Sequence, residues 1–315
     1  MPRYKLTIAY DGTDFCGWQK QEPPASEHPG LPTIGARPGE DRDRVALRTV
    51  QHALEQAVRE VVREPVVVTG ASRTDSGVHA NGQVAAFTSI PDTDKGVGWP
   101  ADRGTHTLIR ALNGRLPRDV LVRAIEVVDD VFEPIAGAVE KEYTYTVVSG
   151  LKRPLWDRRY VFHTWYELDV ERMRAAAALL VGEHDFASFA QVSHGRKTTV
   201  RTITGCEIEV PTLSPPGRGQ GEGSSTETPL PAQDPSPQPS PQRGEEDEQR
   251  FIIRVRGSGF LYNMVRILAG TLMEAGRGTL DPNRIPEILE SKDRTANPGP
   301  TLPPQGLRLE WIRYG

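Results

Sequence analysis

The stretch VVVTGASRTDSGVHANGQVAAFTS (66–89) decides how this chain is read. Two short apolar blocks, VVVTGA (66–71) and QVAAFTS (83–89), enclose a loop of small residues that carries one Arg, one Asp and one His. Apolar runs of this length, rich in β-branched residues and bounded by glycine, predict buried strands. A polar loop held at both ends by strands is where catalytic side chains concentrate, because the scaffold fixes them while the loop exposes them. Gly77 and Gly82 open backbone angles that other residues avoid. Asp75 is the only carboxylate in the loop. On turn chemistry alone such an Asp is more often an Asx-turn or a cap than a catalyst. Arg73 can orient a carboxylate or meet a phosphate. His79 can serve acid–base chemistry or sit hydrogen-bonded in the structure.

Outward from this loop the pattern alternates between strand and helix periods. Tyr4, Leu6, Ile8 and Tyr10 share one side of a strand over Arg3–Tyr10 that ends at Asp11-Gly12. Val50, Leu54, Ala57, Val58 and Val61 recur at helical spacing, predicting a helix that begins near Asp43 or Arg44 and is limited by Pro65. A short helix around Leu108–Leu112 and a strand over 119–128 complete the first half. The second half predicts strands at 143–149, 200–210, 251–257 and 306–314. Its helices are one capped by Asp169 over 173–182, an apolar one from Phe260 to Gly276, and a short one over 282–291. Two units of similar element order, 1–130 and 131–315, predict an α+β protein with pseudo-twofold character. A parallel sheet of strand–helix–strand units is the alternative that the same order allows.

Two stretches interrupt this grammar. The segment 22–44 is rich in Pro, Gly and charge, and 211–250 is a low-complexity run of Pro, Ser, Gly and Gln. Neither holds enough apolar surface to offset the entropy of ordering it, so both are expected to be insertions without a core of their own. Without them the chain has 32 basic against 30 acidic residues, although the whole carries a formal charge of −4. Charge alone therefore neither demands nor excludes a nucleic-acid partner. Cys16 and Cys206 are too few and too far apart for a disulfide framework or a zinc site. The absence of a long apolar run argues against a signal peptide or membrane span and for a cytoplasmic setting.

The run SRTDSGVHA (72–80) resembles the catalytic signature of the A-type tRNA pseudouridine synthases, G-R-T-D-x-G-V-H. Four further segments are similar to that family's motifs and stand in its order. They are YDGTDFCGWQ (10–19), TVQHALEQA (49–57), EHDFASF (183–189) and GFLYNMVRILAGTLMEAGRG (259–278). The resemblance covers nearly the whole chain outside the two insertions. It implies two pseudo-symmetric, ferredoxin- or RRM-like halves that share a mixed, largely antiparallel central sheet flanked by helices, with the catalytic cleft between them. It also implies the reaction. The uracil–ribose bond of a uridine breaks, the base turns, and a carbon–carbon bond forms at C5, without cofactor or metal. The implied substrate is tRNA, at positions 38, 39 and 40 of the anticodon stem-loop, and the implied assembly is a homodimer.

The resemblance also implies roles. Asp75 matches the family's nucleophile; it can attack the sugar carbon or the uracil ring, or assist a glycal route, and the residues are compatible with all three. Arg266 matches the Arg of the family's M-V-R helix and is expected to pair bidentately with Asp75. Tyr143 matches the active-site Tyr that stacks on the base and accepts a proton, with Tyr145 on the same strand face as its competitor. Arg73 matches the Arg that fills the space of the extruded nucleotide. His79 and Lys141 are expected to contact RNA, and Arg153, Arg158, Arg159, Arg196, Lys197 and Arg201 are candidates for its backbone. One position departs from the pattern: Ser72 stands where the family has Gly, and a positive φ there would strain it. A non-catalytic RNA-binding module and a glycosidase built on Asp75 are the competing readings. The second commonly needs another carboxylate as acid, and Glu140 and Glu142 carry no matching signature.

Overall fold

The computed structural model describes residues 1–24, 46–92, 94–191, 198–211 and 248–315. The two insertions read from the sequence fall largely outside this range, as do Asp43, Arg44, Arg196 and Lys197. In chain order the elements are β1 (Arg3–Tyr10), α1 (Val50–Val62), β2 (Thr69–Gly70), β3 (His79–Thr88), α2 (Thr105–Asn113), β4 (Val120–Val128), β5 (Ala138–Ser149), β6 (Phe162–Thr164), α3 (Val170–Ala178), β7 (Gly182–Asp185), β8 (Val200–Glu209), β9 (Gln249–Gly257), α4 (Met264–Gly276), α5 (Ile285–Ser291) and β10 (Leu307–Tyr314).

The strands form one sheet in the order β4-β1-β3-β10-β5-β9-β8-β7, with β2 added to β3 and β6 to β5. Every pairing is antiparallel except β10 with β3 and β5 with β6. The chain is therefore α+β with a mixed, largely antiparallel sheet, not a run of parallel crossover units. The closing strand β10 is the seam. It runs parallel to β3 at Arg308 and Leu309 and antiparallel to β5 along its length. Gly82 of β3 allows that approach: a Cβ there would stand 2.4 Å from the carbonyl oxygen of Glu310.

Alternation in β1 buries Tyr4, Leu6, Ile8 and Tyr10, as its period-two pattern requires. Helix α2 packs on β4 and α1, while α3 packs on α4 and β8, and α4 reaches β5. Eleven of the thirteen residues of α4 are buried, so it lies inside the core rather than on its surface.

Three boundaries differ from the sequence expectation, each for a local reason. Helix α1 starts at Val50, capped by Thr49, whose hydroxyl accepts from His52 N. The run 66–71 yields only the two-residue β2. Side chains of α1 bond this backbone instead: Arg59 and Gln51 donate to the carbonyls of Val66 and Val68, and Glu55 accepts from Val68 N, while Val66 N donates to Glu64 O. Helix α4 begins at Met264 rather than Phe260, because Asn263 takes a left-handed conformation (φ 59°) that breaks the helical run.

Candidate active site

The motif loop 71–78 is held from three sides. Ala71 N donates to Val84 O, which continues the strand pairing. Trp18 N donates to Thr74 O, and Gly77 N and the Ser76 hydroxyl both donate to Phe15 O. The Tyr10 and Thr74 hydroxyls, both buried, share a 2.7 Å hydrogen bond. The 10–19 segment thus wraps the loop and fixes its backbone. Val78 N donates to Asp75 O, closing a turn in which Gly77 has φ +78°. A Cβ at Gly77 would also meet the Pro304 ring at 2.7 Å. The effect of this clamp is to present the Asp75 side chain away from the loop's own backbone.

Asp75 opens into a cleft of ≈ 770 Å³, a size that suits a small ligand or a single nucleoside. The cleft wall is drawn from the motif loop, the 16–21 segment, Lys141 and Tyr143 of β5, Arg201 of β8, and residues 258–265 ahead of and entering α4. Among the described residues the Asp75 carboxylate makes no hydrogen bond or ion pair at contact distance. Burial pushes its carboxyl above the ordinary carboxylate range, and the positive charge of Arg266 opposes that.

Arg266 does not form the expected bidentate pair. Its Nε donates to Leu302 O at 2.6 Å and its Nη1 to Asn263 Oδ1 at 2.8 Å. The guanidinium therefore acts on Asp75 through space, while its hydrogen bonds hold the left-handed Asn263 at the cleft wall. Asn263 Nδ2 in turn donates to Gln191 Oε1.

Strand alternation left Tyr143 and Tyr145 equivalent, and the geometry separates them. Tyr143 lines the cleft, and its hydroxyl is 2.9 Å from that of Ser72. Its ring meets Phe260 edge-on at 5.2 Å. Burial and the charge of Asp75 push the Tyr143 phenol up to about 12, against the hydrogen bond from Ser72. Tyr145 is fully buried and donates to Pro303 O, away from the cleft.

Arg73 is exposed at the cleft rim and has no hydrogen bond or ion pair among the described residues. Lys141 lines the cleft and donates from Nζ to Ala71 O. Of the other basic candidates, Arg158 donates to Leu155 O and Arg159 pairs at 3.8 Å with Asp14. Ser72 lies outside the positive-φ region, so its Cβ brings no strain.

His79 is placed differently from the expected RNA contact. It is 3% exposed and does not line the Asp75 cleft. Gly12 N donates to its Nδ1, so Nε2 carries the proton and donates to Arg159 O. Asp11, which accepts from the Tyr160 hydroxyl, flanks the ring at 3.2 Å. The histidine clamps the 157–160 loop to the motif loop. Burial lowers its pKa, against the opposing pull of Asp11 and the Arg159 carbonyl. The unfolded chain therefore takes up a proton that the folded one resists, so stability falls as pH drops below the unfolded value of about 6.5. Urea midpoints compared at pH 7.5 and pH 5.5 are expected to drop more in wild type than in His79→Gln. An equal drop in both would show that His79 is not the group responsible.

Gln83 braces the motif loop, and the residue pattern did not single it out. It is fully buried, and its amide grips both backbone groups of Ser72. The available signal was an amide heading the apolar run 84–87, which needs satisfied partners when buried.

Comparison with known proteins adds to this geometry. The sequence pattern of a family described as tRNA pseudouridine synthase matches residues 176–315. Over its whole length the chain is similar to tRNA pseudouridine synthase A 2 of Clostridium perfringens, at 35% identity with 100% of both chains covered. It is similar to tRNA pseudouridine synthase A of Bacillus subtilis at 37% identity, with 99% of both covered. With the same-named protein of Geotalea uraniireducens it shares 34% identity over 100% of each.

Proposed function

The chain belongs to the tRNA pseudouridine synthases, isomerases of uridine in tRNA, and on that premise we propose that it converts uridines 38, 39 and 40 of the anticodon stem-loop, with Asp75 as nucleophile. The observation that carries the reading is the Asp75 carboxylate. It stands without a contact partner in a cleft wide enough for one unstacked nucleoside, between a buried phenol and an unpaired guanidinium.

Each neighbour has a task in this reading. The target uridine is stacked in its stem and must be extruded, at a cost of about a few kcal/mol. Arg73, planar and unpaired at the rim, fills the vacated space and meets phosphate. The ring of Tyr143 stacks on the base, and its oxygen takes the proton leaving C5 while its own phenolic proton passes to solvent in the cleft, so the phenol stays neutral throughout. Arg266 keeps Asp75 ionised, which nucleophilic attack requires. Lys141 and Arg201 neutralise RNA phosphates beside the cleft.

The chain is also read as two pseudo-symmetric halves, 1–130 and 131–315, meeting at β10, which the strand order on either side of that seam supports. A homodimer in the cytoplasm is part of the proposal. It is supported by the exposed apolar side chains Leu151, Leu155 and Trp156 on the charge-rich 151–159 loop, the last 91% exposed. No helix among the described residues is long and apolar enough to cross a membrane.

Mass spectrometry of the anticodon arm tests the site assignment. Transcripts treated with the purified protein are expected to carry pseudouridine at positions 38, 39 and 40 and nowhere else in the molecule. Pseudouridine confined to another arm would reject the assignment while leaving the isomerase chemistry in place.

A further inference from the structure

The Ser72 hydroxyl lies 2.9 Å from the Tyr143 phenol oxygen, and we infer that Ser72 is a positioning residue that holds this oxygen in place at the Asp75 cleft for the proton transfer. The inference rests on the reading of Asp75 and Tyr143 given above.

Three observations carry it. Ser72 is itself immobilised: its N–H donates to Gln83 Oε1 at 3.1 Å and its carbonyl accepts from Gln83 Nε2 at 2.6 Å. One fully buried amide thus fixes both backbone groups of one residue, leaving the hydroxyl little freedom beyond χ1. A hydroxyl on so rigid a support is preorganised for whatever it bonds.

Tyr143, by contrast, has no other anchor for its polar end. Its ring is set by packing against Phe260, but the Ser72 contact is the one hydrogen bond to the phenol oxygen among the described residues. An aromatic ring held only by packing still pivots and slides in its plane, so the hydrogen bond fixes where the oxygen stands.

The third observation is electrostatic. Burial and the nearby Asp75 charge both oppose negative charge on the phenol oxygen, and the Ser72 hydrogen bond is the interaction that works against them. Either oxygen can be the donor. The pair therefore suits both states of a proton transfer: Tyr143 donates to Ser72 in one, and Ser72 donates to a charge-enriched phenol oxygen in the other.

Glycine at position 72 would leave the loop backbone free to keep its path but would remove the partner. The serine hydroxyl thus has a specific consequence for one atom of the cleft.

The test is the single-turnover rate on tRNA carrying C5-tritiated uridine, with tRNA affinity measured alongside. The variants are Ser72→Ala, Ser72→Gly, Ser72→Thr, Tyr143→Phe and the double variant Ser72→Ala/Tyr143→Phe. Loss of one neutral hydrogen bond is expected to slow Ser72→Ala and Ser72→Gly by roughly 3- to 10-fold, at unchanged affinity for tRNA. Ser72→Thr, which keeps the hydroxyl, is expected to recover most of the rate. In the Tyr143→Phe background, Ser72→Ala is expected to change the rate by less than about 1.5-fold, because the partner it serves is gone.

A Ser72→Ala rate equal to wild type, with Tyr143→Phe slow, would overturn the inference and leave the Tyr143 assignment standing. A full Ser72→Ala loss that persists beside Tyr143→Phe would overturn it as well, since the serine would then act elsewhere. A Tyr143→Phe variant as fast as wild type would instead overturn the reading beneath it. Ser72→Gly adds no methyl group and serves as the readout if Ser72→Ala does not fold.

Discussion

Asp75→Asn is expected to lose turnover by at least ~10³-fold, the scale of removing a covalent nucleophile, while unfolding no earlier than wild type. The two halves of this expectation have one cause. Asp75 is partly buried, lacks a contact ion pair and has its carboxyl raised by burial. A folded acid whose pKa lies above its unfolded value destabilises the fold once pH exceeds the unfolded value of about 3.9. At neutral pH the charged carboxylate therefore weakens the structure that holds it. The amide removes that charge at nearly the same volume, so the thermal midpoint should equal or exceed that of wild type. A large fall in midpoint would mean that the carboxylate is a structural anchor of the loop. The same shift predicts that the acid limb of kcat/KM lies above the ordinary carboxylate range, because only the ionised form attacks.

Arg266→Met is expected to slow turnover by roughly 10²-fold at neutral pH, the size seen when one preorganised electrostatic partner is removed. It should also move the acid limb of kcat/KM to higher pH. Arg266 is the positive charge that opposes the burial of Asp75, so without it the carboxyl is harder to ionise. Arg266→Lys separates charge from geometry. It keeps a positive charge near Asp75, so the limb should stay close to wild type. An ammonium cannot reproduce the planar fork that bonds Leu302 O and Asn263 Oδ1 together, and turnover should still fall by roughly 10-fold. Measuring pH–rate profiles for all three proteins checks this. Arg266→Met with an unmoved acid limb would show that the arginine works only as a brace for Asn263.

Much of this architecture was legible in residue patterns. The alternation of Tyr4, Leu6, Ile8 and Tyr10 located β1, because one face of that strand is buried and the other is not. The same holds for the unbroken apolar character of α4, although its start is set by Asn263 rather than by hydropathy. The strands β6 and β7 went unread, since FHT and GEHD are short and lack apolar alternation. Their pairing comes from neighbours β5 and β8, not from their own composition. The apolar run 66–68 misled for the opposite reason. Side chains of α1 bond its backbone, and Val67 is 67% exposed.

Within the site, Asp75, Arg73 and Tyr143 were each visible from motif and position, and they line one cleft. What spacing alone does not reveal is which contacts are local. The guanidinium of Arg266 turns to a carbonyl 36 residues away. The ring of His79 turns to a loop 80 residues on, leaving the cleft to others. Both partners are backbone oxygens, which carry no side-chain identity to be read. Gln83 and Ser72 form another such case: the amide of Gln83 signals that it needs partners, but not that they are the backbone groups of Ser72.

Tritium release from C5-labelled uridine in tRNA measures the central step most directly, because the hydrogen at C5 leaves only when the new carbon–carbon bond is made there. Wild-type protein should release tritium to water without accumulating free uracil, and Asp75→Asn should release none. Release by Asp75→Asn at the wild-type rate, or release by wild type accompanied by free uracil, would contradict the account.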